Sequence, residues 1–278
     1  MKLIKPSFEV LDQQLGLEGI YKQIELAGRT CYKSEDKITE NSAKEFVYRM
    51  IKSGHGAMLE HGTLYFNIPE NTDEADNFLD EAPIWTKCKL VESEKGNWWA
   101  VTTNFRIMIE HFAPECIEYL IKKYLCEPTE YHEKRVTVRF TCDRGVTHEF
   151  VRHRVFSFAQ ESTRYCNYSK DKFNKEITFI YPCWLPNGDS STPAKEYFKY
   201  TLIKAEQAYF QLLNEGWTPQ QARAVLPNAL KAELVMTGFV SDWKYFFFLR
   251  DAVSAHPQAR ELAEPLHSTF IQREYIKD

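Results

Sequence analysis

The stretch Val151 to Lys170, VRHRVFSFAQESTRYCNYSK, gathers Arg152, His153, Arg154 and Arg164 around Ser157, Ser162 and Thr163, with no lysine before Lys170. Guanidinium groups are flat, permanently charged forks that match phosphates and carboxylates, and interleaved hydroxyls add neutral donors. The chemistry on offer is a shaped anion site. The alternatives are a solvated basic turn for the triplet and an ordinary structural role for His153. A second cation stands out further along, where Trp243, Phe246, Phe247 and Arg250 fall at i, i+3, i+4 and i+7. That spacing puts Arg250 on a helix face that ought to be buried. A guanidinium drawn into such a face needs a counter-charge, either an acid such as Asp251 or Glu261 or a ligand. The same choice is open at Arg223. His148 and His153 flank a run resembling H-E-x-x-H but one residue too long. At ~100° per residue they fall on different helix faces, so no metal site is expected.

The elements that position these residues can be read from periodicity. Gly19 to Gly28 and Asn41 to Ser53 read as helices, the second stopping at Gly54, and Thr63 to Ile68 alternates like a half-buried strand. From about Asn71 to Gly96 the chain turns acidic and irregular and is expected to leave the core as a polar excursion. Trp98 to Thr103 reads as a strand and Asn104 to Phe112 as a helix. Val136, Val138, Phe140 and Cys142 alternate inward, and Asp143-Arg144-Gly145 turns into a helix expected to reach about Phe156. On that helix Arg152 and Arg154 would point ~200° apart and serve one ligand each. Ile177 to Tyr181 reads as a strand, and Thr192-Pro193 opens a long helix ending near Gly216. Thr218-Pro219-Gln220-Gln221 is a capping box with proline at the first helical position, starting the short helix that carries Arg223. The last third reads as helical, with Asp242 to Ala252 and Pro257 to about Phe270. Strands and helices without regular βαβ alternation place the chain in the α+β class, as a single compact domain over residues 1–278.

Composition narrows the function classes. The 278 residues are 44% hydrophobic, enough for a sizeable core, and the net charge of -4 lacks the broad basic face of a nucleic-acid-coating protein. No apolar run has the length of a signal peptide or a membrane span, so a cytoplasmic protein is expected. Seven cysteines, with no C-x-x-C pair, have the spacing of neither a disulfide framework nor a zinc site and read as reduced thiols. None of the eleven glycines forms G-x-G-x-x-G, so a Rossmann nicotinamide domain is not expected.

Arg152-His153-Arg154, followed by Ser157, Ser162, Arg164 and Tyr165, resembles the signature R-H-R-x-x-S-x-N-E-x-S-x-R-Y of the flavin-dependent thymidylate synthases. Further resemblances run from Arg29-Thr30-Cys31 through Gly54-His55, Glu60-His61 and Asn104-x-Arg106 to Arg223-x-x-Leu226-Pro227 and Leu249-Arg250. The resemblance implies a homotetrameric α+β enzyme with active sites between subunits. Its reaction would convert dUMP to dTMP, with methylenetetrahydrofolate as methylene donor and FAD, reduced by NADPH, as hydride source. NADPH would approach the flavin in the pocket that folate later occupies. By position, Arg152, His153 and Arg154 correspond to flavin-contacting residues, with Arg152 also near the nucleotide. His55, Ala57 and Glu60 fall in the other flavin-contacting segment, and Tyr245 stands at a further flavin position. Gln160, Glu161, Ser162, Thr163 and Arg164 correspond to the nucleotide-phosphate loop, joined by Glu149 and Arg223. Arg250 matches the arginine that holds the uracil and favours loss of its ring-nitrogen proton.

Three departures stand out. Ala159-Gln160 replaces the Asn-Glu pair, with the acid displaced to Glu161, so both Gln160 and Glu161 are candidates for ligand contact. Ala57 stands where a hydroxyl is frequent, and Tyr245 where an asparagine often touches flavin. Two rival functions are a cysteine-dependent thymidylate synthase using Pro182-Cys183, and an RNA-binding module that stacks bases on its aromatics. Against the first, the run Tyr181 to Pro186 has apolar neighbours, and a buried thiol there would be inert. Against the second stands the net charge.

Overall fold

The computed structural model describes residues 1–81, 85–185 and 192–277. In chain order, its first half contains β1 (Lys2–Ile4), β2 (Ser7–Leu11), α1 (Gly16–Tyr32), α2 (Ser42–Lys52), α3 (Gly56–Leu59), β3 (Thr63–Pro69), α4 (Asp73–Glu81), β4 (Lys87–Val91), β5 (Trp98–Asn104), α5 (Phe105–His111) and α6 (Pro114–Tyr124). The second half contains β6 (Arg135–Asp143), α7 (Arg144–Phe150), β7 (Ser157–Gln160), β8 (Thr178–Ile180), α8 (Pro193–Asn214), α9 (Pro219–Ala222), β9 (Lys231–Phe239), α10 (Val240–Arg250) and α11 (Pro257–Gln272).

A four-stranded antiparallel sheet, ordered β2-β6-β9-β7, is the centre of the molecule. The alternation in β6 sends Val136, Val138, Phe140 and Cys142 to one face. There, with Leu234 and Met236 of β9, they pack against Phe150 of α7, Trp243 and Phe246 of α10, and Leu262, Leu266 and Phe270 of α11. The indole N–H of Trp243 donates to Val136 O at 3.1 Å, fixing α10 over the sheet. The opposite face contributes Ala159 and Val235 to a second core containing Ile20 and Ile24 of α1, Phe46 of α2 and Phe66 of β3. A three-stranded antiparallel sheet, β3-β5-β4, borders that core, and β1 pairs in parallel with β8 beside α8. The molecule is therefore a single domain of helices and mainly antiparallel sheet, as α+β implies. No helix among the described residues is long and apolar enough to cross a membrane.

Several elements differ from the sequence expectation. The helix entering the arginine cluster stops at Phe150, not Phe156, and residues 151–156 form successive turns before β7. Arg152 and Arg154 are thus on a turn, and the helical ~200° separation does not apply. The turn is imposed by packing, since Phe156 inserts between Trp243 and Phe246, with ring centroids 4.8 and 6.3 Å away. Space for Phe156 comes from Gly238 of β9, where a Cβ would lie 2.4 Å from the Phe156 ring. Strand β9 interrupts the expected helical last third: Lys231 to Leu234 alternate for only four residues, and the buried stretch Val235 to Phe239 carries no alternation to read. The expected excursion at about 71–96 holds α4, which buries Ala75 and Phe78, and β4, which pairs with β5. Five acids in α4 masked its single apolar face in the composition. Residues 82–84 of that excursion, and Pro186 of the run after Tyr181, lie outside the described residues.

Candidate active site

The site is built where α7, the turn after it and the end of α10 meet. Asp143 caps α7 by accepting from Val146 N at 2.8 Å, and its other oxygen accepts from Gln258 Nε2 at 2.6 Å. These bonds anchor the short helix whose last turn carries Glu149. Helix α10 buries Trp243, Phe246 and Phe247 and delivers Arg250 in its own last turn. The Arg250 guanidinium donates from Nη1 to Glu149 Oε2 at 2.7 Å, from Nη2 to Glu149 O at 2.7 Å and from Nε to His153 Nε2 at 2.9 Å. Its counter-charge is therefore Glu149, and neither Asp251 nor Glu261. A guanidinium has five N–H donors, so these three bonds leave one donor on each terminal nitrogen, a two-pronged group for a ligand.

His153 is buried, with its ring 5.1 Å from Phe246. Accepting from Arg250 at Nε2 requires a neutral ring with its proton on Nδ1. Burial first, then the adjacent Arg250 charge, pulls its pKa from 6.5 to about 4, with Glu149 opposing. Arg152 and Arg154, on either side, are exposed. Arg152 reaches Glu149 only at 3.8 Å, and Arg154 makes no ion pair among the described residues.

The following loop uses its residues in different ways. Gln160 is half-buried, and its amide donates to Thr147 Oγ1 at 3.0 Å. Glu161 turns into the protein, where its carboxylate receives Lys231 Nζ at 2.8 Å. Ser162 N donates to Cys31 O at 2.9 Å, tying the loop to the end of α1. Thr163 is buried, and its hydroxyl accepts from Arg223 Nη1 at 3.0 Å. Arg164 is exposed, donates to Gln220 Oε1 at 3.2 Å and lies 5.4 Å over the Tyr165 ring. Arg223 and Gln220 owe their places to the capping box that the sequence predicted at Thr218, which is present.

The second family-like segment approaches through aromatics. His55, exposed at the start of α3, has Nδ1 3.0 Å from the Tyr32 hydroxyl, and Tyr32 meets Tyr165 edge-on at 5.6 Å. Tyr32 thus joins His55 to the signature loop. Sequence reasoning missed it, although it directly follows Arg29-Thr30-Cys31. Glu60 is paired with Arg106 at 2.6 Å. His61 lies beneath, fully buried, with Nδ1 2.8 Å from Thr237 Oγ1, and burial with the nearby Arg135 charge lowers its pKa to about 3. Ala57 and Tyr245 are exposed, and among the described residues neither has a hydrogen bond to the other site residues. Tyr245 stacks on Phe248, centroids 6.2 Å apart.

Cys183 is exposed, not buried as its apolar neighbours predicted. Its pKa is nonetheless raised, by partial burial and then by Glu261. Cys166 is pushed up to about 12 and Cys31 to about 11, chiefly by burial. A cavity of ≈ 900 Å³ lies elsewhere, lined by residues such as Tyr21, Tyr48, Phe105 and Ile117, and none of the arginines above borders it.

The family model described as thymidylate synthase complementing protein matches residues 89–273. A flavin-dependent thymidylate synthase of Pyrococcus furiosus is 33% identical over 139 residues, 49% of this chain and 54% of that protein. One from Geobacter sulfurreducens is 31% identical over 121 residues, 43% and 49% of the two chains. One from Corynebacterium aurimucosum is 23% identical over 260 residues, 86% and 71% of the two chains. The chain spans about half the length of the first two of these relatives. Among solved structures, a UMP/dUMP methylase, PolB, from Streptomyces cacaoi bound with 5-Br dUMP is 18% identical, with a TM-score of 0.44 over 98% of this chain and 93% of that one.

Proposed function

The chain belongs to the thymidylate synthase complementing protein family, and from that premise we propose that it is a flavin-dependent thymidylate synthase. It would convert dUMP to dTMP, with methylenetetrahydrofolate as the one-carbon donor and NADPH as the reductant of bound FAD. The observation that carries this reading is the knot of Arg250, Glu149 and His153, which joins the signature turn to the end of α10.

The donor set fits both ligands. Two exposed guanidiniums, Arg152 and Arg154, suit a pyrophosphate, and exposed His55 and Tyr245 offer ring surfaces to a flavin. His55, Ala57, Glu60, Arg152, His153, Arg154 and Tyr245 would hold the FAD, His153 through its remaining Nδ1–H. When bound and reduced, the flavin would supply the hydride needed to turn a transferred methylene into a methyl group. On the nucleotide side, Ser162, Arg164 and Arg223 would receive the phosphate, with Thr163 holding Arg223 in place and Gln160 and Arg152 alongside. The two free prongs of Arg250 would grip the uracil edge and stabilise negative charge as the ring nitrogen loses its proton. Glu149 holds that guanidinium in register before the nucleotide arrives. The second candidate of the open pair, Glu161, is occupied internally by Lys231.

Arg152, Arg154, Arg164 and Arg223 are all exposed, as are Val151, Val155, Tyr245 and Phe248. Such exposure suits a site completed by another copy of the chain, and the family resemblance extends the proposal to a homotetramer in the cytoplasm. The raised thiols weigh against the cysteine-dependent alternative. The test is turnover: purified protein should form dTMP from dUMP only with FAD, NADPH and methylenetetrahydrofolate together, and Cys183→Ala should retain that activity. Formation of dTMP without flavin, abolished in Cys183→Ala, would overturn the reading.

A further inference from the structure

The carboxylate of Glu161 is 2% exposed and is filled by three donors, Lys231 Nζ at 2.8 Å, Glu233 N at 3.2 Å and the Tyr168 hydroxyl at 3.5 Å. Lys231 Nζ also reaches Glu233 Oε1 at 2.7 Å, and Glu233 Oε2 in turn meets Lys33 Nζ at 3.1 Å. Lys33 closes the series on Glu35 at 2.6 Å. The result is an alternating chain of acids and lysines whose inner members are each at most 16% exposed.

Its three anchor points make it more than an isolated pair. Glu161 immediately precedes Ser162, Thr163 and Arg164. Lys231 and Glu233 begin β9. Lys33 caps the C-terminus of α1 in the left-handed region, φ 47°, one residue beyond Tyr32. Backbone bonds follow the same path, from Glu161 N to Glu233 O at 2.7 Å and from Ser162 N to Cys31 O at 2.9 Å. A carboxylate buried and satisfied on this scale has little capacity left for a ligand, but it holds its own backbone firmly.

We propose that Glu161, Lys231, Glu233 and Lys33 form a clamp that positions the anion-binding loop of Ser162 to Arg164, with Lys231 as its central positioning residue. The proposal rests on the reading of that loop as the nucleotide-phosphate site. Glu161 acts from behind the loop and does not touch the nucleotide. Removing Lys231 leaves a buried carboxylate uncompensated, and the loop must move to rehydrate it. The consequence falls on phosphate recognition and spares the Arg152 to Arg154 turn.

The experiment compares wild-type protein with Lys231→Met, Glu161→Gln and the double variant, measuring KM for dUMP, kcat and FAD affinity in each. Lys231→Met should raise KM for dUMP by roughly ten-fold, within the coupling range of residues that share one network, while kcat and FAD affinity change by less than about three-fold. Adding Glu161→Gln to Lys231→Met should recover part of the loss, because the neutral amide no longer demands a cation. Glu161→Gln, nearly isosteric, supplies the folded comparison if Lys231→Met does not fold, and should itself raise KM. Unchanged KM in either folded variant, with only the melting temperature lowered, would make the chain of charges a stability feature and overturn the clamp. Wild-type protein that neither binds nor turns over dUMP would instead overturn the nucleotide reading on which the clamp rests.

Discussion

At the scale of single residues, the account depends on how Arg250 is held. Its guanidinium is 14% exposed, so the proposed attraction to a uracil losing a proton would act in a medium less screening than water. Arg250→Ala is expected to cost about 2 to 5 kcal/mol in dUMP binding and turnover combined, part of it from leaving Glu149 unpaired. Arg250→Lys should recover only a fraction, since one ammonium cannot reproduce two bonds to Glu149, one to His153 and a free fork. Steady-state kinetics with dUMP and a parallel FAD titration check this; an Arg250→Lys enzyme as active as wild type would assign the residue to structure alone. His153 makes a second expectation. Its pKa falls on folding from 6.5 to about 4, and that of buried His61 to about 3. Between those values the unfolded chain binds more protons, so stability is complete above about pH 6.5 and is lost as pH falls toward 4. Urea midpoints should drop between pH 7 and pH 5, above the range in which ordinary carboxylates titrate. The folded enzyme should keep its activity through that window and lose it only as pH approaches 4, where His153 takes up a proton and can no longer accept from Arg250.

At the scale of elements, Gly238 shows how a strand shapes the site from a distance. A side chain there would collide with the Phe156 ring at 2.4 Å, and Phe156 is what folds residues 151–156 back beside α10. Gly238→Ala is therefore expected to destabilise the fold by about 1 to 3 kcal/mol, as overpacking does, and to weaken FAD and dUMP binding together. A thermal-melt shift near zero with normal binding would contradict that role. None of this was legible in the sequence, where Gly238 lies in an apolar run that shows no alternation. Amphipathic elements were legible: α2, β3, β6, α8 and the capping box at Thr218 stand where periodicity and turn chemistry put them. The short edge strands β1 and β2, the doubly buried β9 and the truncated α7 were not, because tertiary packing sets their limits. The site follows the same division. Arg152, His153, Arg154 and Arg164 stand close together in the sequence, whereas in the fold Arg164 is held by Gln220 and Arg152 lies near Glu149. The inward turn of Glu161, the choice of Glu149 as partner of Arg250 and the Tyr32 link to His55 depend on contacts across long sequence separations.

At the scale of the whole molecule, one chain leaves Arg152, Arg154, Arg164 and Arg223 exposed, together with Tyr245 and Phe248, and the proposed function assigns these residues to ligands. The central claim is that these residues bring a flavin and a pyrimidine nucleotide together. The most direct measurement is the absorption spectrum of the purified protein with FAD, recorded during a titration with dUMP. The account predicts yellow protein whose flavin bands shift saturably as the nucleotide binds, and bleach anaerobically with NADPH. Folded protein that remains colourless with added FAD, or flavin bands indifferent to saturating dUMP, would contradict it.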